Sequence, residues 1–87
     1  MPTLTIDPQK KFVFSDIIDF EYIDNKYIVI SRDTANWLLL DNICQVDIFK
    51  FLITHTVEQC FNNFGKNNQK DFVKVLTEIS AKHFDDL

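Results

Sequence analysis

Glycine is almost missing from this chain: its 87 residues include a single one, Gly65. A lone glycine cannot build the glycine-rich loops that cradle phosphates, which excludes the nucleotide-binding fingerprints. Only two cysteines (Cys44, Cys60) and two histidines (His55, His83) are present, and they form no cluster with metal-ligand spacing. Cys44 and Cys60 sit beside Ile43 and Phe61 in apolar helical patterns, as buried free thiols do. No apolar run approaches the ~20 residues of a membrane span. The opening "MPTLTIDPQKK" lacks an apolar signal-peptide core, so a cytoplasmic protein with no membrane partner is expected. Basic residues are also scarce. Nine Lys and Arg stand against 13 Asp and Glu, a net charge of −4. Such a surface repels phosphate backbones and disfavours nucleic acid as a partner.

What the chain does have is phenylalanine, nine in all, within a composition that is 46% hydrophobic and 25% charged. That is a globular profile. The length suits one small domain, which buries only ~60–65% of its unfolded surface. Large aromatic rings offset the small size of its core.

Residues 1–14 carry both prolines and read as an extended lead-in, in which Phe12-Val13-Phe14 adds a short contact. In "DIIDFEYI", Ile18, Phe20 and Tyr22 share one face and Asp19 and Glu21 the other, the period-2 mark of a half-buried strand. Asp24-Asn25-Lys26 is a turn, "YIVIS" a second strand, "RDTAN" a longer turn and "WLLL" a third strand. Asp41 or Asn42 then caps a helix whose stripe is Ile43, Val46, Phe49 and Ile53, widened by Ile48 and Leu52. Thr56 caps a short second helix carrying Val57, Cys60, Phe61 and Phe64. Gly65 follows its last periodic residue, where a left-handed C-cap is expected. Asn67 or Asn68 caps a third helix with two stripes. One is Phe72, Leu76, Ile79 and His83; the other is Val73, Thr77, Ser80 and Phe84.

Three strands followed by three helices with short connections predict an α+β fold of winged-helix kind. A three-stranded antiparallel meander would place strand two at the centre and strand three at an edge. Strand three is apolar at each of Trp37, Leu38, Leu39 and Leu40. An edge strand normally alternates. Either the helices cover one face and the N-terminal segment the other, or the strand has a slot left open beside it.

A hairpin, a strand ending in "LLLDN", a helix, "THTVEQCFNNFG" and a last helix together resemble the PqqD-like domains, the precursor-peptide recognition elements of ribosomal peptide natural-product pathways. The resemblance spans residues 15–87. Leu40-Asp41 stands where that family commonly has Leu-Asn. Thr56-Val57 match its Asp-Gly-x-x-Thr-Val-x-x-Ile motif, although the Asp-Gly is absent. Lys82-His83-Phe84 and the terminal Leu87 stand where it often closes on Gly-Leu.

The resemblance implies a noncatalytic peptide-binding role without a cofactor. A precursor's leader segment would add as an extra strand beside strand three, in a cleft against the last helix. The bound leader would then present its core peptide to a modifying enzyme, a radical SAM maturase or a cyclase. Main-chain hydrogen bonds give such strand addition its affinity and pockets give it selectivity. Trp37, Leu38, Leu39 and Leu40 would supply the edge. Val73, Thr77 and Ser80 would line the other wall with Phe72 and Leu76 below, while Lys70 and Lys74 would meet acidic residues of the leader. Two other readings remain. A winged-helix DNA-binding regulator would need a basic recognition helix, yet "VEQCFNNF" has no Lys or Arg. A structural dimerisation domain would pair strand three with its own copy. An enzyme finds no nucleophile–base set, metal spacing or phosphate loop here.

Overall fold

The structure, a computed structural model, describes residues 8–85. The alternating residues of β1 (Ile18–Ile23) and the β-branched run of β2 (Lys26–Ser31) pair antiparallel across a two-residue turn. Asp24 and Asn25 both take positive φ, 52° and 62°. That is the twist a tight hairpin requires, and Asp and Asn tolerate it. Lys26, expected in the turn, instead opens β2. A four-residue turn over 32–35, with Ala35 at φ 55°, leads to β3 (Asn36–Leu40). The strand order is β1-β2-β3, so β3 is an edge.

Helices α1 (Ile43–Thr54), α2 (Val57–Cys60) and α3 (Gln69–Ala81) follow, and α2 runs directly into a π-helical turn, Phe61–Gly65. The fold is therefore α+β, a three-stranded antiparallel sheet followed by three helices. Val29, Leu38 and Leu40 from the sheet meet Ile48, Phe49 and Leu52 of α1 and Val75, Leu76 and Ile79 of α3 in one core.

Asn42 is the α1 cap, its side chain accepting from the Gln45 N–H. The first turn of α1 departs from the expected stripe: Ile43 is 56% exposed, whereas Gln45 is only 3% exposed. Thr56 and Gln59 form a reciprocal capping box at α2. The N-terminal segment completes that helix end. The Val57 N–H donates to the Lys10 carbonyl (2.9 Å) and the Glu58 N–H to the Pro8 carbonyl (2.8 Å). The same segment places Phe12 in the core at 4% exposure, and Phe14 packs on Phe49 with ring centres 4.9 Å apart. The lead-in is thus a structural part of the domain from residue 8 onward. Residues 1–7 of the expected extended segment, and Leu87, lie outside the described residues.

Three expectations are corrected. Gly65 is not a left-handed cap, because its φ is not positive. It lies inside the π turn, where the ring of Phe61 leaves no room for a Cβ. Asn68 stands at the α3 N-cap position but makes no side-chain capping bond. His83 is not part of the α3 stripe. The helix ends at Ala81, His83 takes φ 50° in the open, and the chain turns so that Phe84 enters the core.

Candidate functional site

The main chain itself shows which groups of β3 are open. The Arg32 N–H donates to the Ile17 carbonyl (3.1 Å), so residue 32 faces the β1 side. Main-chain groups alternate sides along a strand, so Tyr27, Val29 and Ser31 face β3. Their partners Leu40, Leu38 and Asn36 therefore spend their main-chain groups on β2. Trp37 and Leu39, and Asp41 just beyond the strand, point away from the sheet.

Helix α3 runs antiparallel to this edge. Its end lies by Asn36, whose Nδ2 donates to the Lys82 carbonyl at 2.7 Å. Its start lies by Asp41, because Gln45 accepts from the Asp41 N–H (2.8 Å) and donates to Asp71 Oδ1 (2.9 Å). Five strand steps from Asn36 to Asp41 span ~16 Å, and eleven helical steps from Asp71 to Lys82 span a similar ~16 Å. Edge and helix are matched in length.

The expected site residues separate into two groups. Leu38 and Leu40 are completely buried core, and Phe72 and Leu76 are buried as well. Their side chains hold the fold together. Trp37, on the outer sheet face, is 47% exposed and Val73 is 42% exposed; Leu39 is half-buried, and Lys70, Thr77 and Ser80 are exposed. Lys70, Val73, Lys74 and Thr77 surround an open depression of about 560 Å³. Phe72 and Leu76 instead border a second depression of about 430 Å³ on the α2 side, with Val57, Phe61 and Val73. Gln69 and Val73 border both. Phe61 is a lining residue that the sequence reading placed only in the α2 stripe.

The apolarity of β3 on both faces follows from its neighbours. Leu38 and Leu40 face the helices, while Trp37 and Leu39 lie across from Ile30 and Ile28 on the outer sheet face. From residue 8 onward, the N-terminal segment runs by α2 and contributes to the core beside Phe49, so its described part does not lie along β3. The cover over Trp37 is Lys82, whose Nζ lies 3.9 Å from the ring centre.

Charge along the helix wall is uneven. Lys74 pairs with Glu78 (3.3 Å) one turn on, and among the described residues no ion pair is found for Lys70. Asp71 is held below the usual carboxylate range by hydrogen bonds from Gln45 and then Asn42. Asp41 is lowered in turn, chiefly by its hydrogen bond from Lys26. Burial pushes the Cys60 thiol up to about 12. Cys44 is raised by burial first and by Asp71 next. Neither thiol has the lowered pKa of a nucleophilic cysteine.

Among the described residues no group of three or more His, Cys, Asp or Glu side chains is placed to hold a metal ion. No described helix is long and apolar enough to cross a membrane. Comparison of the chain with protein-family models, curated proteins and solved structures gave no match.

Proposed function

We propose that this chain is a noncatalytic, cytoplasmic peptide-binding module of the PqqD-like kind. It captures the leader of a ribosomally made precursor as a fourth strand beside β3 and presents the peptide to a modifying enzyme such as a radical SAM maturase or a cyclase. The observation that carries this reading is the unpaired edge of β3 lying alongside a helix of matched length that exposes Val73 and Thr77. Outward main-chain groups at Leu39 supply directional bonds. An added strand would alternate its side chains between the α3 wall and the Trp37 row, the arrangement that gives strand addition its selectivity. Lys70 and Lys74 favour acidic residues in the leader.

Isothermal titration and NMR test the reading, with synthetic leaders of precursors encoded next to this chain's gene as probes. Saturable heat is expected, with amide shifts at Trp37, Leu39, Val73 and Thr77. Leu39→Pro and Val73→Asp are expected to abolish both while the fold survives. Absence of heat and of shifts along β3 with every such leader would overturn the proposal.

A further inference from the structure

Both ends of the β3 edge are closed by a side-chain amide that does the same two things. At one end, Asn36 Oδ1 accepts from the Trp37 N–H at 2.9 Å, while Asn36 Nδ2 donates to the Lys82 carbonyl at 2.7 Å. At the other, Gln45 Oε1 accepts from the Asp41 N–H at 2.8 Å, while Gln45 Nε2 donates to Asp71 Oδ1 at 2.9 Å. In each case the oxygen satisfies an outward N–H of the edge, and the nitrogen is anchored to an end of α3. Neither oxygen can swing away without breaking its anchor as well. Between them, the Leu39 N–H is the outward donor left without a side-chain acceptor among the described residues.

We propose that Asn36 and Gln45 are gatekeepers that shut the edge of β3 against a second copy of this chain, leaving the Leu39 N–H as its open donor. An exposed edge is a template for pairing with its own kind unless something blunts it. Two copies of β3 joining antiparallel would call on the N–H groups of Trp37, Leu39 and Asp41. Two of these already have acceptors, so a strand that took them would break one hydrogen bond for each it made, with little net gain. The anchors to α3 add a second bond lost at each end. The gates thus allow a residue pair at Leu39 and deny the longer ladder on which self-association depends. The same gates apply to a leader strand, which would rely on the Leu39 N–H, the outward carbonyls and side-chain contacts with α3; the test below concerns the chain alone and contains no peptide.

Native-state amide exchange on the wild-type chain reads the gates directly. The Leu39 amide is expected to exchange at least about tenfold faster than those of Leu38 and Leu40, with Trp37 and Asp41 on the protected side. Light scattering reads the consequence. The wild type is expected to stay monomeric, whereas Asn36→Ala/Gln45→Met associates with rising concentration. Because Gln45 is buried and its loss threatens the fold, Asn36→Ala alone serves as a second variant. It is expected to lose protection at Trp37 while keeping it at Asp41. Wild-type exchange at Trp37 and Asp41 as fast as at Leu39 would overturn the proposal. So would Trp37 protection unchanged in folded Asn36→Ala.

Discussion

The ring of Phe61 fills the space that a Cβ on Gly65 would need, with Phe61 Cε1 2.6 Å from that point. An alanine there must push the ring off its edge-on contact with Phe72, whose centre lies 5.5 Å away. Such an aromatic pair contributes ~0.5–1.5 kcal/mol beyond its buried area, and overpacking adds a cost of order 1–3 kcal/mol. Replacing a helical glycine by alanine returns only about 1 kcal/mol. Gly65→Ala is therefore expected to lower the urea midpoint. In a Phe61→Ala background the sign should reverse and the same substitution should stabilise. Stabilisation by Gly65→Ala in the wild-type background would show that the ring moves freely.

Trp37 is the one tryptophan of the chain, and Lys82 stands over it. A cation–π contact at a partly exposed site is worth ~0.5–1 kcal/mol. Lys82→Met should alter the fluorescence emission and lower stability by no more than about 1 kcal/mol. An emission spectrum identical to wild type would mean that the ammonium is not held over the ring.

Acid should weaken the junction of β3, α1 and α3. The Asp71 carboxyl is held below its ordinary 3.8 by Gln45 and Asn42, which both donate to its Oδ1. A group whose pKa is depressed on folding gives its full stabilisation above the unfolded value and loses it as pH falls through the folded one. The loss therefore begins below 3.8. Asp41 follows the same sign through its 3.0 Å pair with Lys26, but that pair is exposed and its contribution is small. Urea titrations at about pH 6 and about pH 3 should show a smaller acid-induced drop in Asp71→Asn than in wild type. An equal drop in both would place the acid sensitivity elsewhere.

The strands, their order and the Thr56 cap were legible in the sequence, as was the α1 cap to within the pair Asp41 and Asn42, because their causes are local. Period-2 alternation, Asp24-Asn25 and a side chain reaching its own helix end all act within a few residues. Other features depend on partners distant in sequence. Gln45 interrupts an apolar stripe because it bridges Asp41 to Asp71, a residue 26 positions away. Ile43 falls on that stripe by its spacing, yet it lies largely in solvent. Gly65 sits where a C-cap glycine would, yet it is required by a ring packed over the helix. Of the candidate site, the exposed residues Trp37, Val73, Lys70 and Thr77 were readable as a surface. Phe72 and Leu76 lie on the α3 stripe that its period marks as core, whereas the burial of Leu38 and Leu40 beside exposed Trp37 emerges only from how α1 and α3 cross the sheet.

The bonds from Val57 and Glu58 to Lys10 and Pro8 bear on the order of folding. They join the front of the chain to a helix nearly fifty residues later, as does the contact of Gln9 with Glu58 across 49 positions. Closing so long a loop costs more entropy than any step within the sheet or between successive helices. Phe12 stacks on Phe14, and Phe14 packs on Phe49 of α1 and on Phe84 beyond α3, so both rings are made before the partners that shelter them. The hairpins, whose pairings are local, are expected to form before this segment docks on α2. An opening of this segment with the sheet still paired would return Phe12 to water, and amide exchange at Val57 and Glu58 would read it.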